Sequence, residues 1–394
     1  MKILWINDAA SFTGGAETYI YQSAHTLSQE YDVENILLYN VDNRVDYEYS
    51  KIFSFISVLA DLEQQVSLIK PDIIYVHQVN NEQVLEKLSN LKIPVIGFIH
   101  DHKKFCLREH KYTTIGHTTC SKKVGLNCYT CLGFINKTDS FPYISVNTLS
   151  KINAVQETLK RFDHIIVASE YMKNHLILHN FNNEKISKIL LFSNPLNSIS
   201  YSNNITKKKC FLYVGQLVRG KGIDTLLDAI AKLNHHDNIT LDICGDGKQQ
   251  YALEQQAKNL GISHKVSFHG KIKPSDLSAY YLKAYAVVIP SRAPETFNLV
   301  GIEAMKYSKA VIAADVGGIR EWLVDGITGQ LFSSNDSSGL SKVIEEAAKN
   351  PQSISRMGQH GLEAYQKKFT SLQHCNTLYN IFCDLTQKED FHVA

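Results

Sequence analysis

Short apolar runs rich in β-branched residues recur along the chain, separated by longer amphipathic stretches. In the first half they cover residues 2–6, 72–77, 94–100, 164–168 and 188–192. In the second half they cover 210–214, 239–244, 265–268, 286–289 and 310–314. Continuous hydrophobic runs of this length, bounded by Gly, Pro, Asn or Asp, are what a parallel sheet covered on both faces requires. Helical patterns lie between them, as at 223–233, where Leu226, Leu227, Ile230 and Leu233 share one face. Strand and helix alternate through two successive series, which predicts an α/β chain of two doubly wound, Rossmann-like domains. The seam is expected at 197–209, NSISYSNNITKKK, which is polar and unpatterned. Beyond the last strand, 339–348 and 354–372 read as helices, the second broken by its glycines, and 372–385 as one more amphipathic helix.

Composition narrows the choice of function. Lys and Arg number 41 against 39 Asp and Glu, a formal net charge of +2, so no nucleic-acid partner is expected. With 44% hydrophobic residues the chain is an ordinary globular one. The opening MKILWIN is too short an apolar core for a signal peptide, and no window approaches the length of a membrane span. The expected compartment is a reducing cytoplasm.

Three loops carry candidate chemistry. Strand 2–6 leads into DAASFTGGAETYI, where Gly14 and Gly15 precede a helix. Paired glycines at a helix start suit an anion, and they equally make a plain turn. Strand 210–214 leads into VGQLVRGKGIDTLLDAI, with Gly215, Gly220 and Gly222 loosening the loop and Arg219 and Lys221 bringing positive charge to a helix N-terminus. That is a cradle for a diphosphate. Strand 286–289 leads into PSRAPETFNLVGIEAM. Here Glu295 and Glu303 are separated by seven residues, so one lies in the loop and the other on the following helix, and Phe297, Asn298 and Leu299 offer backbone amides near the helix start. Further on, DVGG places Gly317 and Gly318 after another strand.

Taken together, GGAE, VGQL with its KG, CGDG, PS followed by E-x7-E, and DVGG resemble the pattern of the family 4 glycosyltransferases. The resemblance covers nearly the whole chain and is strongest over 211–332. It implies the GT-B fold, two Rossmann-like domains facing across a cleft: residues 1–200 binding the acceptor, 201–370 binding the nucleotide sugar, and 371–394 a helix returning to the first domain. It implies a retaining hexosyltransferase, with a UDP- or GDP-hexose as donor and a glycan or lipid-linked acceptor in cell-envelope or surface polysaccharide synthesis, and peripheral contact with the inner membrane. By the same resemblance Glu295 contacts hydroxyls of the donor sugar and Glu303 the ribose. Gly245, in CGDG, joins Gly215 in the donor loops, and Phe297, Asn298 and Leu299 form the turn that meets sugar and phosphate. Lys221 neutralises the diphosphate, Gly14 and Gly15 lie near its distal phosphate, and His100 lies close to the transferred sugar. His100, Glu295 and Lys221 are then the catalytic set. The family often has Arg where this chain has Gln216, and Arg219 is the expected substitute. With cations stabilising the departing phosphate, catalysis needs no cofactor. The alternatives are a nucleotide-sugar-binding scaffold without activity and a sugar-nucleotide epimerase of the same fold.

Four of the eight cysteines, Cys106, Cys120, Cys128 and Cys131, fall in a His- and Lys-rich insertion over about 102–133. Four thiolates with one C-x2-C hook suit a tetrahedral structural zinc, with His102, His110 or His117 as replacement ligands; the other reading is a set of reduced thiols. Some members of the resembling family carry a similar stretch. Lys103, Lys104, Arg108, Lys111, Lys122 and Lys123 make the segment basic, which suits an anionic lipid or phosphorylated acceptor, or a solvated loop.

Overall fold

The strands of the first half are β1 (Lys2–Asn7), β2 (Glu34–Tyr39), β3 (Phe55–Val58), β4 (Ile73–Val76) and β5 (Val95–Ile99), then a two-stranded hairpin of β6 (Ile135–Lys137) and β7 (Ile144–Val146), then β8 (His164–Val167) and β9 (Ile186–Lys188). This computed structural model describes residues 1–12, 14–40, 45–113, 118–131, 133–137, 144–193, 208–233 and 238–387. The expected linker falls mainly on 194–207, outside the described residues; Lys209 already opens a strand.

Seven of these strands form one parallel sheet in the order β3-β2-β1-β4-β5-β8-β9. Its central strands are enclosed on both faces, with Ile3, Leu4, Trp5 and Ile6 of β1 without exposure, as continuous apolar runs predict. The chain order reverses between β1 and β4, so the loops leaving their carboxyl ends diverge and open a crevice, the usual ligand place in such sheets. The expected strand at 188–192 lies earlier, at Ile186–Lys188, because the pairing with β8 ends there and the amide of Ile189 makes a last bond to Val167 O at 2.9 Å.

The second half adds β10 (Lys209–Val214), β11 (Ile239–Cys244), β12 (Val266–Gly270), β13 (Ala286–Ile289), β14 (Val311–Ala314) and β15 (Gly329–Phe332), a six-stranded parallel sheet in the order β12-β11-β10-β13-β14-β15. Here the order reverses between β10 and β13. The two series of strand and helix therefore build two Rossmann-like units, the first from the described residues of Met1–His110, Ser121–Asn194 and Ser371–Ala394, the second from those of Lys111–Cys120 and Pro195–Thr370. The short stretch Lys111–Cys120 thus leaves the segment expected of the first domain; the Thr119 hydroxyl donates to Arg292 O at 2.9 Å.

The glycines expected to break a helix do not. Gly358 and Gly361 sit inside the continuous helix Pro351–Lys368, where a Cβ on Gly358 would lie 2.1 Å from Ser308 O and one on Gly361 3.1 Å from the Met305 side chain. They are the sites at which this helix lies against its neighbours. The break comes at Phe369 and Thr370, and the helix Ser371–Thr386 then packs on the helix Gly15–Glu30. No helix among the described residues is long and apolar enough to cross a membrane.

That last helix brings a buried histidine into the first unit. His374 has its Nδ1 2.8 Å from Leu190 O, an acceptor only, so Nδ1 carries the proton and Nε2 accepts from the Tyr19 hydroxyl at 2.8 Å; Tyr19 in turn lies 2.9 Å from the Tyr75 hydroxyl. Burial pushes the His374 imidazole down to about 4. A neutral ring buried this way contributes stability that is complete above the unfolded value near 6.5 and is lost as pH falls through about 4. His374→Leu is therefore expected to be less stable at pH 7.5, and its deficit should shrink by up to about 1.4 kcal/mol per pH unit between pH 6.5 and 4. Urea unfolding followed by Trp5 fluorescence in a Trp322→Phe background measures this; a pH-independent deficit would contradict it.

Candidate functional site

In the second unit the loops after β10 and β13 meet where the strand order reverses. Arg219–Lys221 form one 3-10 turn ahead of the helix Ile223–Ala231. Gly220 O accepts from the amides of Arg292 and Ala293 at 2.8 and 2.9 Å, which ties the two loops together. The result is a short ion pair: Lys221 Nζ lies 2.8 and 3.1 Å from the two carboxylate oxygens of Glu295. The Ser291 hydroxyl donates to Glu295 Oε1 at 2.5 Å. The pair is partly open, with side-chain exposures of 32% and 12%, so both groups can exchange one another for a polar ligand.

Glu295 is also fixed through its backbone. The Gly318 amide donates to Glu295 O at 2.7 Å, and Gly317 has φ +59 with the Glu295 carbonyl oxygen 2.1 Å from where a Cβ would stand. The DVGG glycines are thus the seat of the Glu295 loop. A second close approach joins the loops after β10 and β11: a Cβ on Gly245, φ +151, would lie 1.8 Å from Gly215 O. Gly245 is therefore required by backbone meeting backbone, while Gly215 has φ +148 and a Cβ there would lie 3.0 Å from the Tyr213 hydroxyl.

Glu303 stands on the second turn of the helix Leu299–Lys306 and accepts from the Tyr281 hydroxyl at 2.7 Å. Burial raises its carboxyl above the usual range, only partly offset by that hydrogen bond and by Lys306. Tyr281 is held by stacking on Tyr307, with ring centroids 5.0 Å apart. Phe297 points its ring into the core, and its carbonyl accepts from Trp322 Nε1 at 2.7 Å, so the Phe297 contribution to a ligand is confined to its backbone. Asn298 takes φ +73 at the helix cap, and its side-chain Oδ1 is buried without a hydrogen-bond partner. Leu299 opens the helix, where the first amides have no intrahelical acceptor. Gln216 and Arg219 are exposed. Arg292, missed from sequence, is buried; it pairs with Asp224 at 2.8 Å and donates to the Thr225 hydroxyl, bracing the loop against the helix after Lys221.

In the first unit, Gly14 caps the helix Gly15–Glu30 and the buried Glu17 occupies its first turn. Asn7, the last residue of β1, donates to Glu17 Oε1 at 3.2 Å, and Glu17 Oε2 lies 3.1 Å from where a Gly14 Cβ would stand. His100 follows β5 and lies with its Nε2 2.9 Å from Nδ1 of His77, which follows β4. Burial pushes His100 down to about 3, with Lys104 adding to the effect. Burial likewise pulls Lys104 below its usual range, while Asp101 and Asp8 act in the opposite direction. Glu17 and His77 were not read from the sequence: GGAE carries the first, but the second has no motif around it.

Among the described residues no three or more His, Cys, Asp or Glu side chains are placed to hold a metal ion. Cys120 groups with the second unit, and Cys106, Cys128 and Cys131 with the first. Cys128 is buried against Leu107, Val124 and Ile152, and the partly exposed Cys131 has its Sγ 3.5 Å from Cys128 O. His117 lies outside the described residues.

Comparisons with known proteins agree with this geometry. The model of the family described as glycosyl transferases group 1 matches residues 197–364. An uncharacterized glycosyltransferase of Methanocaldococcus jannaschii is 32% identical over 208 residues, which cover 53% of this chain and 56% of that protein. The lipopolysaccharide 1,2-N-acetylglucosaminetransferase of Salmonella typhimurium is 34% identical over 154 residues, 37% of this chain and 40% of that protein. The matches thus span roughly half or less of these relatives. Among solved structures, Anabaena HepE in complex with UDP-glucose superimposes with a TM-score of 0.70 at 19% identity, over 98% of this chain and 100% of the other. Residues 197–364 match the model of the glycosyl transferases group 1 family, and the chain has the two Rossmann-like units of the GT-B fold.

Proposed function

We propose that the protein is a retaining glycosyltransferase that moves a hexose from a UDP- or GDP-activated donor to a glycan or lipid-linked acceptor. In this reading it serves cell-envelope or surface polysaccharide synthesis at the cytoplasmic face of the inner membrane. The observation that carries it is the Lys221–Glu295 pair at the carboxyl ends of β10 and β13, with Glu303 on the helix that follows. A diphosphate arriving at Lys221 releases the Glu295 carboxylate to accept hydroxyls of the sugar, and Glu303 accepts those of the ribose. Charge builds on the departing phosphate in the transition state, and a preorganised ammonium with helix-start amides lowers its energy without having to reorganise. Glu295 is then a positioning carboxylate, and the leaving phosphate takes the acceptor's proton on the same face of the sugar. The UDP-glucose bound by the Anabaena protein of like fold is of the donor class assigned here, and the Salmonella relative's name supports an envelope acceptor.

The test is incubation with UDP-glucose, GDP-mannose or UDP-N-acetylglucosamine, with and without lipid-linked acceptors. The expected result is acceptor-dependent release of nucleoside diphosphate and an α-linked product from an α-linked donor. Epimerisation of UDP-N-acetylglucosamine without acceptor would overturn the transferase reading, and a β-linked product would overturn retention.

A further inference from the structure

The carboxyl ends of the neighbouring strands β4 and β5 hold a histidine pair, one of whose members, His77, belongs to no motif. His77 is 1% exposed, and its ring is stacked on Trp5, with centroids 5.5 Å apart and planes at 7°, and lies 4.3 Å from the Tyr75 ring. His100 stacks on Phe98 at 4.2 Å and meets the edge of Tyr19 at 5.6 Å. Between the two imidazoles runs a single hydrogen bond of 2.9 Å, from Nδ1 of His77 to Nε2 of His100 or the reverse. One proton occupies it, and the choice of owner follows from the far side of His77. There Nε2 is buried without a hydrogen-bond partner. If His100 donated, His77 would carry its own proton on Nε2 and bury an orphaned N–H. If His77 donates, Nε2 is a bare lone pair, the less costly group to leave unpaired.

We propose that His77 is a positioning residue that donates Nδ1–H to Nε2 of His100 and thereby fixes His100 as the Nδ1–H tautomer. With its Nε2 so engaged, His100 cannot serve as a general base through that atom. Burial holds both imidazoles below the ordinary histidine range, in keeping with a neutral pair. The effect on turnover rests on the glycosyltransferase reading; the pairing and the tautomer do not.

The experiment follows from that separation. Long-range proton–nitrogen spectra of the full chain labelled with 15N-histidine distinguish the two tautomers, and His100 is assigned by the signal lost in His100→Gln. Wild type is expected to show His100 protonated on Nδ1; protonation on Nε2 would overturn the proposal. His77→Phe keeps the stack on Trp5 and removes the donor, while His77→Asn returns an N–H near the place of Nδ1. The Phe variant should lose the fixed tautomer and lower kcat roughly tenfold, the scale of one neutral hydrogen bond, with donor KM within about twofold. The Asn variant should recover most of the loss. A Phe variant with unchanged kcat, or an Asn variant as impaired as the Phe one, would overturn the positioning role. Should no nucleotide sugar be turned over while His100 is Nδ1-protonated, it is the transferase reading that fails and the pairing stands.

Discussion

Lys221→Met is expected to lower kcat/KM for the sugar donor by about 100- to 1,000-fold, the range seen when one preorganised donor is withdrawn from developing negative charge. The effect has two parts that act in the same direction. The ammonium that would meet the diphosphate is gone, and Glu295, whose carboxylate it now holds at 2.8 and 3.1 Å, is left with the Ser291 hydroxyl as its hydrogen-bonding neighbour in the loop. An uncompensated carboxylate beside the phosphate site repels the donor. Glu295→Gln removes that repulsion and also weakens the hold on the sugar hydroxyls. The two substitutions act through one pair, so the double variant should fall well short of the sum of the single losses. Steady-state kinetics with the donor identified by the incubation test reads all three; a loss below about threefold in Lys221→Met would remove Lys221 from the phosphate site.

Gly317→Ala is expected to be strongly destabilising to the second unit. At φ +59 any side chain carries the left-handed cost, about 1 kcal/mol, and here the new methyl would also stand 2.1 Å from the Glu295 carbonyl oxygen and 2.7 Å from its nitrogen. Both are backbone atoms, so the loop itself has to move, breaking the bond from the Gly318 amide. A destabilisation on the order of 3 kcal/mol follows, with a raised donor KM in the protein that still folds. Gly326→Ala is the internal control. Its φ is +73, but nothing lies within 4 Å of an added Cβ, so it should cost only the conformational part. Urea unfolding read by Trp322 fluorescence separates the two; equal losses would mean that the close approach to Glu295 has no energetic weight.

These residues also show how far the sequence could be read. The second unit was largely legible because its chemistry sits where local pattern is strongest, at the ends of apolar strands such as Ala286–Ile289 and in the loops directly after them. Glu295, Glu303, Lys221, Gly215 and Gly245 lie there. β2, reading ENILLY, was missed because it opens on polar Glu34 and Asn35; Asn35 is buried with its side chain accepting from Trp5 Nε1 at 2.8 Å and donating to Ala24 O and Ser28 Oγ at 3.0 and 2.7 Å. β3 is a four-residue edge strand and β15 begins on glycine, both below what periodicity can register. Arg292, Tyr281, Trp322 and His77 owe their roles to partners distant in sequence: Asp224, Glu303, Phe297 and His100. No local pattern contains such a pairing. Spacing grouped four thiols, while in the structure Cys120 groups with the second unit and Cys128 lies in an apolar cluster of the first.

The central claim is that the second unit holds the diphosphate of a sugar nucleotide where its strand order reverses. Calorimetric titration of wild type, Lys221→Met and Glu303→Gln with UDP and with GDP tests it without any acceptor. One of the two nucleotides should bind wild type, with affinity reduced at least about tenfold in Lys221→Met, the scale of a lost charged hydrogen bond, and measurably reduced in Glu303→Gln. Binding of equal strength in all three proteins would contradict the account.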